Sequence, residues 1–127
     1  MTEPAFLLDS NIVVWLDQKP DRISASVLLR IESAPVVFLS AVVAWELGIK
    51  QSLGSLTLNR PVSEFLRASG MTELPVSIEH GEAVRSLPLH HRDPFDRLLV
   101  AQAMVEGLIL VTGDRHLLDY GVPILLA

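Results

Sequence analysis

The stretch Ala5-Phe6-Leu7-Leu8-Asp9-Ser10-Asn11-Ile12-Val13-Val14-Trp15-Leu16 holds the pattern on which the fold turns. Its first four apolar residues are too few for a helix and read as a buried strand ending at Asp9. From Ile12 to Leu16 the apolar pattern continues as a helix, with Asp9, Ser10 or Asn11 as plausible caps. The alternation then repeats. Arg22 to Ser33 carries Ile23, Val27, Leu28 and Ile31 at helical spacing, and Val36-Val37-Phe38-Leu39 reads as a second strand. Ser40 caps a helix running through Trp45, Glu46 and Ile49 toward Gly54.

Farther along, Leu56 to Arg60 is a connector and Pro61 to Ala68 a short helix with proline in its first turn. Leu74-Pro75-Val76 reads as an edge strand, because proline cannot donate to a central ladder. Glu79 to Leu87 is helical up to Pro88. Asp93-Pro94 opens an apolar helix reaching about Glu106, with Gly107 as its stop. Leu108 to Val111 and Val122 to Leu126 are the last strands. Strand and helix in alternation predict an α/β sandwich around a mostly parallel sheet, with residues 1–127 as one domain.

Bulk properties narrow the functional classes. Half of the 127 residues are hydrophobic, which suits a sheet covered on both faces or a surface buried in a partner. No apolar run approaches the roughly 20 residues of a bilayer span. The stretch Met1-Thr2-Glu3-Pro4 lacks the basic region of a secretory signal, and there is no cysteine, which excludes disulfides and thiolate metal sites. The expected setting is cytoplasmic. The net charge of −5 argues against nucleic-acid binding by charge alone, so an RNA substrate would require bound cations and local basic residues.

Open parallel sheets gather function beyond the carboxyl ends of their strands. Asp9 ends the first strand, and Asp114 follows Leu108 to Val111 closely. Glu46 lies about two turns into the helix after the second strand, and Asp96 in the first turn of the helix before the fourth. Clustered carboxylates repel one another, and hard cations such as magnesium or manganese relieve that repulsion. Such ions can activate a water for attack on a phosphodiester. Each acid also has a plainer reading: Asp9 as a helix cap, Asp93 and Asp96 as first-turn acids, Glu46 as an i, i+4 partner of Lys50, Asp114 as a turn residue. His90 and His91 are adjacent and point different ways, so they read as loop residues. Trp15 and Trp45, set among aliphatic residues, read as core or interface and not as base-stacking platforms. Arg92, Arg97 and Arg115 flank the acids and are candidates for phosphate contact, as is Lys50.

Four segments resemble the PIN-domain family, and in particular its VapC-like branch, the toxins of type II (VapBC) toxin–antitoxin systems. Phe6 to Asn11 looks like the family's opening motif, Ser40 to Leu47 its second, Leu87 to Ala103 its third and most specific, and Leu110 to Asp114 its fourth. Order and spacing agree over nearly the whole chain. The resemblance implies a three-layer α/β/α sandwich and a magnesium- or manganese-dependent endoribonuclease acting on single-stranded RNA, forming homodimers and held inactive by a cognate VapB-like antitoxin. Asp9, Glu46, Asp96 and Asp114 match the acidic metal-binding positions. Asn11 matches the residue supporting the first Asp, Thr112 the one ordering the fourth, and Asp93 belongs to the branch's motif in a secondary role. His116-Leu117 stands where many relatives carry an Asp-Phe pair or an aromatic, which removes any further acidic ligand there. Two other readings remain. One is a catalytically silent PIN-fold binding module. The other is a metal-dependent phosphatase using Asp9, which would ordinarily want a second Asp where Asn11 stands.

Overall fold

A computed structural model describes residues 5–89 and 93–127. Strand β1 (Phe6–Leu8) leads into α1 (Ser10–Gln18), and a 3-10 turn at Pro20–Arg22 joins it to α2 (Ala25–Ser33). Strand β2 (Val37–Ser40) is followed by α3 (Ala41–Ser52), α4 (Val62–Ser69) and β3 (Thr72–Leu74). Helix α5 (Ile78–Ala83) continues as a 3-10 turn over Val84–Ser86 before α6 (Pro94–Glu106). The chain then forms β4 (Ile109–Thr112), a 3-10 segment over Arg115–Tyr120 and β5 (Ile124–Leu126).

The strands form one sheet in the order β3-β2-β1-β4-β5, and every pairing among the described residues is parallel. Helices flank this sheet, giving the α/β/α sandwich that the resemblance implies. Phe6, Leu7 and Leu8 pair with Val37 and Phe38 on one side and with Ile109, Leu110 and Val111 on the other. A central parallel strand is covered on both faces, so β1 is buried throughout while β5, at the edge, is only half-buried. Leu7, Leu8, Ile12, Val100, Leu110 and Val111 form the fully buried centre of the core. No described helix is long and apolar enough to cross a membrane.

Several helix ends carry the caps read from the sequence. Ser40 accepts from the Val42 N–H, Asp93 caps α6, and Gly107 ends it in the left-handed conformation at φ 68°. Strand β3 differs from expectation: it spans Thr72–Leu74, ahead of Pro75, because the register with β2 places Thr72 beside Phe38 and Leu74 beside Ser40. It is an edge strand all the same.

This topology has one consequence for function. From β1 the chain moves outward through β2 to β3, then crosses back to place β4 on the opposite side of β1. The strand order therefore reverses between β1 and β4, and in open parallel sheets ligands bind beyond the carboxyl ends of the strands at such a reversal.

Candidate active site

Asp9 and Asp114 stand at that reversal, each just beyond the end of its strand. Asp9 directly follows β1 and is 3% exposed. Its backbone N–H donates to the Val111 carbonyl at 2.9 Å, which ties the end of β1 to β4. One carboxylate oxygen, Oδ1, accepts from the Ser10 N–H at 2.7 Å and from the Ser10 hydroxyl at 3.4 Å. The other, Oδ2, accepts from the fully buried Thr112 hydroxyl at 2.6 Å. The same hydroxyl accepts from the Asp114 N–H at 3.0 Å. Thr112 thus joins the two acids across adjacent strands. Burial raises the Asp9 carboxyl above its ordinary range, the donors from Thr112 and Ser10 pull it back, and the negative charge of Glu46 adds to the rise.

Glu46 comes from the inner side of α3, where it is buried with Val42, Val43 and Leu47. Lys50, one turn on, donates to its Oε2 at 2.7 Å. The i, i+4 pair read from the sequence is real, but its acid is inside and its lysine is 45% exposed. The Lys50 ammonium is held above its ordinary value by the hydrogen bond to Glu46, with further pull from Asp93 and Asp96. A cation therefore sits at the rim of the acidic cluster.

Asp96 lies in the first turn of α6, whose start is fixed by Asp93. The Asp93 side chain accepts from the Phe95 N–H at 2.9 Å and from the Asp96 N–H at 3.1 Å, which is the capping role. Burial and the charges of Asp9, Asp93, Glu46 and Asp114 push the Asp96 carboxyl up to about 7. Four acids thus act on this one group, three of them from distant parts of the chain, which places each within electrostatic reach of Asp96. The Asp114 side chain accepts from the His116 N–H and faces the His116 Nδ1, both at 2.9 Å.

Oxygen-only donors under mutual repulsion fit a hard divalent cation. Among the described residues, no group of three or more acidic or histidine side chains is arranged to enclose an ion. A divalent ion meeting only a few carboxylates would have to keep much of its own water.

Other candidates have different surroundings. Asn11 is exposed beside Asp9, whose carboxylate accepts hydrogen bonds from Ser10 and Thr112. Arg97 also departs from expectation. Its guanidinium donates to the carbonyls of Pro88 at 2.8 Å, Val84 at 3.3 Å and Leu87 at 3.5 Å, and to the Tyr120 hydroxyl at 3.4 Å. It clamps the segment leading into α6 and has little capacity left for a phosphate. Arg115 is exposed beside Asp114. His90, His91 and Arg92 lie outside the described residues.

Two features escaped sequence reasoning, and a third was left between two readings. Ser10 is a buried polar residue beside Asp9, which hydrophobic patterning does not single out. Gly113 gives way to Trp15: a Cβ there would lie 2.9 Å from the Trp15 ring, so the turn carrying Asp114 depends on the missing side chain. Trp45, read as core or interface, is 56% exposed and meets Phe95 edge to face with ring centroids 4.8 Å apart.

Residues 6–123 match the family model described as PIN domain. The chain is 31% identical over 120 residues to ribonuclease VapC22 of Mycobacterium tuberculosis, covering 92% of each protein. Its fold is similar to a chain of VapBC2 from Rickettsia felis bound to a DNA fragment from their promoter, with TM-score 0.74 and 20% identity over 96% of this chain and 98% of that one. It is also similar to a chain of DNA-bound VapBC from Salmonella typhimurium, with TM-score 0.67 and 19% identity over 97% and 98%.

Proposed function

We propose, from the premise that this chain belongs to the PIN-domain family, that it is an endoribonuclease and the toxin of a VapBC-type toxin–antitoxin pair. The single observation that carries this reading is the convergence of charge from Asp9, Glu46, Asp93 and Asp114 on Asp96, in a chain related to a ribonuclease over nearly its whole length.

In this reading Asp9, Glu46, Asp96 and Asp114 hold magnesium or manganese, directly or through water. A bound ion of this kind supplies a polarised water for in-line attack on the phosphodiester and charge relief for the departing oxygen. The protein's own part is preorganisation. Thr112 and Ser10 fix both oxygens of Asp9, and Asp93 sets where α6 begins and hence where Asp96 stands. Lys50 and Arg115, with Arg92, are the candidates for the flanking phosphates of the RNA. The phosphate role first considered for Arg97 is not carried forward.

The further elements of the proposal are residues 1–127 as one domain, a homodimer, a VapB-like antitoxin that silences the site, and action in the cytoplasm. Relatives seen as VapBC complexes on DNA support the antitoxin. Incubating the purified chain with total RNA in magnesium, manganese or EDTA tests the enzymatic core. Discrete new fragments are expected with either ion and none with EDTA. Equal fragmentation in EDTA would contradict the metal dependence, and intact RNA with both ions would contradict the nuclease.

A further inference from the structure

Trp45 and Phe95 form an aromatic pair attached to the acidic site through the chain itself. Trp45 immediately precedes Glu46 on α3, and Phe95 immediately precedes Asp96 on α6. Successive residues of a helix point about 100° apart, so Glu46 turns into the cluster while Trp45 stands at its border. Val42, Val43, Glu46 and Leu47 of the same helix are buried, yet the indole is 56% exposed. Its contact with Phe95 is edge to face, with the rings inclined at 72°, an arrangement that holds the indole without covering it on both sides.

We infer that the exposed indole of Trp45, braced by Phe95, is a stacking platform for a nucleobase of single-stranded RNA bound with its phosphate at the acidic site. The inference rests on the ribonuclease reading above. Two observations favour a base as the occupant. The chain carries a net charge of −5, so a strand held here gains little from overall charge and needs apolar contact for its affinity. The platform is also one residue from Glu46 and, through its contact with Phe95, one residue from Asp96, which suits a ligand that joins a flat apolar ring to a group held at the acidic site. Stacking accepts any base, as an enzyme acting on single strands requires.

Fluorescence anisotropy with calcium in place of magnesium, strand integrity being checked on a denaturing gel, tests the platform. The probes are an end-labelled single-stranded oligoribonucleotide and an abasic strand of the same length. Trp45→Ala is expected to weaken the base-bearing strand roughly 5- to 100-fold, as for the loss of one stacked base, and to leave the abasic strand unchanged. Trp45→Phe, which keeps an aromatic face, should retain most of the binding. Sedimentation of each protein should give the same assembly state. Equal binding by wild type and Trp45→Ala, or equal weakening for both strands, would overturn the platform. A change of assembly state that accounts for the lost binding would overturn it too, and would assign the indole to a contact between copies of this chain. Parallel cleavage assays in magnesium separate the two levels. Wild type that cleaves while Trp45→Ala binds normally sinks the platform alone, whereas wild type that neither binds nor cleaves sinks both readings.

Discussion

The Thr112 hydroxyl donates to Asp9 Oδ2 at 2.6 Å from a fully buried position, so the carboxylate at the end of β1 is held by the last residue of β4. The bond spans the point where the strand order reverses, and it orients the most deeply buried acid of the site. Thr112→Val removes it while keeping the branched shape. The expected cost is about 1–3 kcal/mol, because a buried acceptor loses its partner. The lost donor also lets the Asp9 carboxyl rise further, so the penalty should be larger at neutral pH than in acid, where Asp9 is protonated. Thr112→Ser should recover most of the loss. Urea unfolding of the three proteins at two pH values checks both points.

Asp96 gives a pH signature of opposite character. Its carboxyl is raised from 3.8 to about 7, chiefly by burial, so the folded protein holds this proton more tightly than the unfolded chain does. Below the unfolded value the group costs nothing. As pH rises toward 7 its charge counts increasingly against folding, and above 7 the penalty is complete. In metal-free protein Asp96→Asn should therefore raise the thermal midpoint near about pH 8 and do little near about pH 4. Solvent screening limits the gain to about 1 kcal/mol, or a few degrees. Added magnesium should narrow the difference by stabilising the wild type more. A variant less stable than wild type at about pH 8 without metal would contradict the repulsion described.

Gly113 and Trp15 form a coupled pair, since a Cβ on the glycine would approach the Trp15 ring to 2.9 Å. Gly113→Ala should cost about 1–3 kcal/mol by overpacking, and should slow RNA cleavage by shifting the turn that carries Asp114. Trp15→Phe removes the ring atoms in question. The double variant should be more stable than the sum of the single effects allows. Simple additivity in thermal unfolding would show that the close approach carries no strain.

Arg97 separates a structural clamp from a phosphate contact. Arg97→Lys keeps the charge but loses the planar fork that reaches three carbonyls and Tyr120. The expected result is a loss of about 1–3 kcal/mol in stability, with the KM for RNA little changed. A raised KM at unchanged stability would restore the phosphate role.

Much of this architecture could be read before any coordinates were known. Short apolar runs ending in Asp9 and Ser40, and the Asp93-Pro94 start of α6, are local signals that survive folding because caps and strand ends depend on neighbouring residues. Asp9, Asp96 and Asp114 were legible because they follow strands or open a helix in a regular α/β alternation, and Glu46 because it is an acid among the apolar residues of α3. What escaped depends on rotation and pairing. That Ser10 donates to Asp9 turns on the phase of the first helical turn. The bounds of β3 turn on its register with β2. Whether Trp45 belongs to the core or to the surface turns on the rotation of α3, and the carbonyls around Arg97 come from a segment nine to thirteen residues away in the chain.

Cleavage of one single-stranded oligoribonucleotide by wild type and Asp9→Asn, each in magnesium and each in EDTA, tests the central claim most directly. Asparagine keeps the size of the side chain and removes its charge, and the thermal midpoint of each protein verifies that both are folded. The expected result is cleavage by wild type in magnesium alone, with Asp9→Asn slower by a factor on the order of 100 or more. Cleavage by folded Asp9→Asn at the wild-type rate would contradict the assignment of the acidic cluster as the site of the reaction.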